Sequence, residues 1–435
     1  MTSADTSPTI VRTSECQSCA LPGASYSSAV EGLLAASKDV DRLSSLEGEG
    51  VIARFEAAFA KTVGSRFALS VSSGTAALHT ALSACDIGPG DEVIVSPYGW
   101  GQTVVAVLLV GATPVFADID PVTSNLDPDN VDRRISSNTR AVLVTHVFGC
   151  PADMAKLSEL CESRGIRLIA DAAQGLGARL DGKEIGAWGD ISCFSFGRGK
   201  AITMGEGGAV VCDDPDLYER MILVSQHPLR GIIDIEDYDF RQSVTELCMS
   251  YRMSPLLAAI GLGQIDLLPQ VMARKQKTAR KLAATLQGIA GFNPPTEPLG
   301  LEHGYRSFVL RYDSTELGGY SRVDIICELQ AQGIPAHVGP VRTPIHLRAP
   351  FNDESISNWF PNSLRCTHRH SSWNRGMCPV AERRCAEEEI VIASTTRWQQ
   401  VPDERIEEIG QAIEYVVNQV PALCSQQGAK RGLQE

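Results

Sequence analysis

From residue 67 to residue 212 the chain repeats one pattern, a short apolar run followed by a helical stretch, and few folds accommodate that alternation. Phe67–Val71, Val93–Ser96, Pro114–Ala117, Ala141–His146, Arg167–Ala170, Ile191–Phe196 and Ala209–Cys212 read as strands. Several are continuous apolar runs, as expected where both faces of a sheet are covered. Amphipathic stretches such as Ala76–Ala84 and Asp153–Ser163 lie between them. A βαβα order implies parallel neighbours, because a parallel pair needs a crossover long enough to hold a helix. The expected core is an α/β domain built on a mostly parallel sheet.

The pattern changes further along. Leu256 to Gln287 reads as one long helix interrupted near Pro269, and GFNPPTEPLG (291–300) reads as a loop. Beyond it, Ser307–Tyr312 is an expected strand, Arg322–Gln332 a helix and Asp403–Asn418 another, whereas residues 343–377 read as long loops. The organisation expected is a tail at 1–28, a large α/β domain at 29–270, a smaller α+β domain at 271–425 and a tail at 426–435.

Composition removes several function classes. Thirty-nine basic against 52 acidic residues give a net charge of −13, which argues against nucleic acid as a partner. That balance leans toward neutral or cationic small-molecule substrates. The longest candidate apolar run, Val104–Val110, is far short of the ~18 residues a membrane span needs. The amino terminus lacks the basic start and apolar stretch of a secretory signal, and thirteen cysteines without regular spacing suggest reduced thiols. A cytoplasmic location is expected. Cys16 and Cys19 form a CxxC with no second pair at zinc-ribbon spacing. Cys366, His368, His370, Cys378 and Cys385 contain no tight CxxC or HxxxH pair, so a polar substrate-facing loop is preferred to zinc. Arg342 and His346 in the same lobe suit either substrate contacts or a buried or solvated structural role.

Four features sit at strand ends, where open α/β sheets bind ligands. Ser72-Ser73-Gly74-Thr75 separates a strand from a helix, and small residues there let an anion approach the free amides of the first turn; the same run also suits an ordinary helix cap. Asp171 follows a buried strand directly, a costly place for a carboxylate without a partner. Phe194-Ser195-Phe196-Gly197-Arg198-Gly199-Lys200 delivers a lysine between tight turns. It is no GxxxxGK[ST] phosphate loop, because Phe194 stands where the first glycine belongs and Ala201 follows the lysine. Trp100, between Gly99 and Gly101, could stack on a planar ring or simply pack in the core. An anion cradle, a stacking ring, a buried acid and an amine are together the inventory for holding pyridoxal 5'-phosphate.

SGTAALHTAL, DAAQGLGA, FSFGRGKAITMGEGGAVV and Ser250-Tyr251-Arg252-Met253 strongly resemble the DegT/StrS group of sugar aminotransferases, which are fold type I pyridoxal-phosphate enzymes. The resemblance runs from about residue 45 to 290 and continues more weakly to Cys378-Pro379-Val380-Ala381-Glu382. It implies that Lys200 forms the Schiff base with the cofactor and that Asp171 pairs with the pyridinium nitrogen. It further implies that Trp100 stacks on the ring, that Gly74, Thr75 and Ser195 bind the phosphate, and that Gln174 lies beside the phenolic oxygen. A homodimer with active sites at the subunit interface is implied as well. Ser250 stands where the family usually has the asparagine that reaches the partner's phosphate. Ile390-Val391-Ile392-Ala393-Ser394-Thr395-Thr396-Arg397-Trp398 replaces a Leu-Pro-rich stretch.

The implied reaction is transfer of an amino group from L-glutamate or L-glutamine to a keto sugar or keto cyclitol, with Lys200 moving the proton. Two rivals remain: another reaction of the same fold, such as elimination, dehydration or condensation, and a non-catalytic cofactor-binding regulator.

Overall fold

The computed structural model describes residues 30–31, 43–352, 373–394 and 401–431. The central sheet contains β1 (Phe67–Val71), β2 (Glu92–Val95), β3 (Thr113–Phe116), β4 (Thr139–Thr145) and β5 (Arg167–Asp171). A short hairpin follows, β6 (Arg179–Leu180) and β7 (Lys183–Glu184), before β8 (Ile191–Ser195) and β9 (Gly208–Cys212) complete the sheet. Its order is β1-β9-β8-β5-β4-β2-β3. Neighbours from β8 to β3 are parallel, whereas β9 runs antiparallel to both β1 and β8. The reason is the connection: residues 196–207 join β8 to β9 without a helix, and a strand that returns without a crossover pairs antiparallel.

Side chains alternate across these strands and bury both faces. Leu69, Val71, Ile169 and Val210 pack with the helices Gly74–Ala84, Gly101–Leu109 and Pro215–Ser225. Ala68, Val142, Leu168 and Ala209 face the helices Val51–Val63, Met154–Arg164 and Pro255–Ile265. On that second face Phe59 meets Phe194 and Phe196 edge-on at 5.1 Å, the arrangement ring quadrupoles favour. Glu56, on the same helix as Phe59, accepts both the amide and the hydroxyl of Ser70 at 2.7 Å. It also takes a bidentate bond from Arg230, a guanidinium only 3% exposed. Helix, strand and the 228–234 helix are thereby joined through one buried, satisfied charge pair.

The expected long helix near Pro269 is two helices, Pro255–Ile265 and Leu268–Leu286, bent by 59°. Pro269 lies in the first turn of the second, where its missing N–H breaks no intrahelical bond, so the break falls ahead of it. No single helix among the described residues is long and apolar enough to cross a membrane.

The second sheet is antiparallel. It contains β10 (Phe292–Asn293), β12 (Ser307–Tyr312), β13 (His337–Val338) and β14 (Glu389–Ser394), in the order β10-β12-β14-β13, while β11 (Leu301–Glu302) pairs with β6 of the large domain. The helices Arg322–Ala331 and Asp403–Arg431 cover it together with Leu268–Leu286. The last helix is longer than its periodicity implied. It continues through Pro421 and takes in residues expected to be a C-terminal tail. Of the expected 343–377 loops, the described part holds a turn at Ile345–Leu347 and a short helix at Ala349–Asn352. Cys16, Cys19, Cys366, His368 and His370 lie outside the described residues, as do Thr395 to Trp398.

Candidate active site

The carboxyl ends of β5 and β8 and the turn after β1 converge on one side of the sheet. At β1, Ser73 caps the helix Gly74–Ala84, its hydroxyl accepting the Ala76 amide at 3.1 Å. Gly74 is required there: a Cβ at this position would lie 2.7 Å from Ser195 Cβ at the end of β8. Gly208 is equally constrained, since its Cβ would meet the Ser73 carbonyl at 2.4 Å. Two glycines thus let three chain segments close to backbone contact, with Thr75 and Ser195 half-buried at the junction. This junction fits a phosphate group, because first-turn amides and two hydroxyls gather where no larger side chain could stand.

Asp171 ends β5 at 5% exposure. Its Oδ2 accepts a 2.6 Å bond from the Thr103 hydroxyl and its Oδ1 a 3.1 Å bond from the Ala173 amide. Thr103 sits in the first turn of the helix that Trp100 caps. Asp171 is therefore tied to the helix that begins at Trp100, a link that the spacing Trp100-x-x-Thr103 could have suggested but the sequence reading missed. Trp100 is 55% exposed and belongs to the wall of a cleft rather than to the core.

That cleft, about 610 Å³, lies between the two domains. Lys200, Trp100 and Gln174 line it together with Arg198, Arg306 and Arg342. Lys200 rides on the β8–β9 loop, where its amide donates to the Gly197 carbonyl at 3.2 Å. Burial lowers its ammonium pKa from the usual lysine range; the Asp171 charge opposes that effect, and Arg306 adds to it. Asp171 and Lys200 are thus electrostatic neighbours, as a ring held between acid and amine would require.

Gln174 and Arg306 are held through one strained residue. Phe148 has φ 55°, a left-handed conformation that bulky residues seldom adopt. Its amide donates to Gln174 Oε1 at 3.0 Å, and its carbonyl accepts the Arg306 amide at 2.7 Å. The Gln174 amino group remains to donate into the cleft. Arg306 Nε is buried without a partner among the described residues, and desolvation lowers the Arg306 pKa. Sequence reasoning missed Arg306 because nothing local distinguishes an arginine at the start of an ordinary strand.

Other candidate residues stand outside the cleft lining. Ser250 is exposed, and the neighbouring Tyr251 carbonyl accepts the Ser72 amide at 2.7 Å, beside the Gly74 junction. His346 is buried and bonded to Glu382 at 3.1 Å, away from the cleft. Cys378 and Cys385 are buried, and burial pushes both thiols up to about 12. The described lining of the cleft contains no carboxylate, the reverse of what the overall acidic balance suggested.

A three-layer α/β/α domain, a smaller antiparallel sheet and a loop lysine in the cleft between them define a fold type I transferase. The chain belongs to the DegT/DnrJ/EryC1/StrS aminotransferase family, whose model matches residues 34–376. It is 35% identical over 238 residues to a Vibrio cholerae protein named GDP-perosamine synthase, matching 55% of this chain and 63% of that relative's length. It is 30% identical over 366 residues to a Streptomyces kanamyceticus protein named "Putative L-glutamine:3-amino-2,3-dideoxy-scyllo-inosose aminotransferase", covering 81% and 86% of the two chains. Among solved structures, an aminotransferase from Psychrobacter cryohalolentis superposes with a TM-score of 0.75 at 25% identity, covering 91% of this chain and 97% of that one.

Proposed function

We propose that this protein transfers an amino group from an amino-acid donor, L-glutamate or L-glutamine, to a keto group on a sugar or cyclitol, using pyridoxal 5'-phosphate. The observation that carries this reading is the joint placement of Lys200, Trp100 and Gln174 in one cleft, with Lys200 in the field of buried Asp171. Relatives named for a sugar and for an aminocyclitol support the acceptor class.

When bound, the cofactor supplies a reactive aldehyde and a ring that withdraws electrons from the carbon losing its proton. Every other part belongs to the chain. The Gly74–Thr75 turn and Ser195 would hold the phosphate, Trp100 would supply a stacking surface for the ring, and Gln174 would offer its amino group to the phenolic oxygen. Asp171, fixed by Thr103 and Ala173, would keep a proton on the ring nitrogen. Lys200 Nζ takes the proton from the donor's α-carbon and later returns one; partial burial makes this easier by disfavouring its charged form. Arg306 and Arg342 offer charge-assisted bonds to carboxylate or phosphate groups of the substrates.

The working unit is a homodimer in this reading. Leu229, Ile232, Ile233, Tyr238 and Leu247 are all exposed on the segment leading to Ser250. An apolar surface of that kind favours a covering partner, and a second copy would approach the Gly74 junction from this side. The test is borohydride reduction of cofactor-loaded protein followed by peptide mapping. A reduced adduct on Lys200 is expected, along with donor-dependent conversion of the bound cofactor to its amine form. An adduct on another lysine would overturn the reading, and light scattering decides the dimer separately.

A further inference from the structure

Behind the Trp100 wall lies a buried pair that the proposed chemistry does not use. Tyr98, fully buried in the large domain, donates its hydroxyl to Glu389 Oε2 at the start of β14. Glu389 is 1% exposed and follows a single π turn, Arg384–Glu388. Its other oxygen, Oε1, is buried without a partner among the described residues, and stands where a Cβ on Gly339 would be. Gly339 and Gly99 both line the cleft, so the carboxyl stands directly behind its wall. Arg322, Arg384 and Cys385 are the other titratable neighbours; Arg322 Nε is buried without a hydrogen-bond partner among the described residues, and Arg384 Nε faces Glu388 Oε2 at 3.5 Å.

The turn that carries Trp100 is fixed at three points. Thr103 reaches Asp171, the Pro97 carbonyl accepts the Ile345 amide at 2.8 Å, and Tyr98 reaches Glu389. The first tie lies within the large domain. The second and third fasten the turn to residues beyond it, and of these two the Tyr98–Glu389 tie is the one between side chains.

We propose that Tyr98 and Glu389 form a positioning pair, which fixes the Pro97–Trp100 turn against the small domain and so sets where the Trp100 indole stands in the cleft. Neither group touches substrate; both act through the turn. Burial pushes the Tyr98 phenol well above its ordinary range, so it stays a donor at working pH. The same burial pushes Glu389 up to about 7, against the Tyr98 bond and the two arginines. A neutral amide at 389 would therefore serve the hydroxyl nearly as well as the carboxyl does.

The inference rests on the proposed aminotransferase reading for its kinetic arm only. The first arm uses cofactor-free protein and hydrogen exchange. Tyr98→Phe and Glu389→Ala are expected to speed amide exchange in residues 98–103 about tenfold, the loss of one net hydrogen bond, with exchange in β4 and β5 unchanged. Glu389→Gln is expected to restore protection. In the second arm, single-turnover rates with the amino donor should fall roughly ten- to a hundredfold in Tyr98→Phe, with the donor KM moving far less. Wild-type exchange in a folded Tyr98→Phe protein would overturn the proposal, and so would equal damage from Glu389→Gln and Glu389→Ala. Should the wild-type protein show no turnover, the aminotransferase reading fails while the exchange arm still decides the tie.

Discussion

Replacing Gly74 with alanine tests the phosphate junction most directly, because the collision it creates has no soft partner. The new Cβ would lie 2.7 Å from Ser195 Cβ, 3.2 Å from Ser195 Oγ and 3.4 Å from Ser195 Cα. Ordinary carbon contacts are ~3.5–4.0 Å, so about 1 Å must be found. A rotamer change of Ser195 moves Oγ but leaves Cβ in place. β8 is itself held between β5 and β9, with Ser195 paired to Gly208. The helix start has to give way. That shift strains the Ser73 cap on Ala76 and costs about 1–3 kcal/mol in overpacking. It also draws first-turn amides from the phosphate, and losing one charge-assisted bond at ~1.5–3 kcal/mol weakens binding on the order of ten- to a hundredfold.

The assay is titration of cofactor-free protein with pyridoxal phosphate, paired with thermal unfolding. The structure also supplies a control. In a Ser195→Gly background the collision partner is gone, so Gly74→Ala should add little to the loss that Ser195→Gly causes alone. An undiminished penalty in that background would refute the steric argument. Wild-type affinity in the single variant would refute the junction as a phosphate site.

The remaining predictions concern charges. In cofactor-free protein, acylation of the Lys200 amine should rise with pH through a midpoint below the usual lysine value; Arg306→Ala should move that midpoint up and Asp171→Asn down, and shifts of the opposite sign would reject the assigned neighbours. Lys275 is 7% exposed, and burial with Arg306 nearby lowers it to about 7. Below that pH both folded and unfolded chains carry the proton and the burial cost is full. Above it the folded chain releases the proton first, so stability rises with pH up to the unfolded pKa, by at most ~5 kcal/mol. Lys275→Met should flatten that rise in denaturant titrations between pH 6 and 10 (roughly the window in which the two states differ), and parallel curves for the two proteins would contradict it. Arg230→Ala leaves Glu56 buried without its guanidinium and should cost about 3–5 kcal/mol by urea unfolding, whereas a loss under ~1 kcal/mol would show that water reaches the site.

What could be read from the chain follows a physical division. Strand positions were legible because a buried parallel strand must be apolar on both faces, as at β5, expected at Arg167–Ala170 and found at Arg167–Asp171. Gly74 and Lys200 were legible because their constraints are local: a tight turn, a glycine-flanked loop. Thr103 and Arg306 were not, since each acquires its role from a partner far along the chain, Asp171 in one case and Phe148 in the other. β9 was legible as a strand but not in direction, which depended on reading residues 196–207 as a loop. The last helix overran its expected end because a proline three residues beyond Asn418 signals a stop, although flanking turns can carry a helix through one missing bond.

The overall acidic balance says little about the cleft for a related reason. Net charge is a sum over a surface, and exposed charges more than ~8 Å away are largely screened at physiological salt. A cleft between low-dielectric walls responds to its own lining instead. Here that lining brings Arg198, Arg306 and Arg342 to one lysine, with Asp171 the opposing charge behind it. The arrangement couples binding to proton transfer. Arg306 helps to lower Lys200, so an anionic substrate group seated on Arg306 would cancel that influence and raise the lysine's proton affinity as the substrate arrives. The titration midpoint of the amine would then lie higher with the donor bound than in the empty cleft, and a neutral donor analogue lacking the carboxylate should fail to produce the shift.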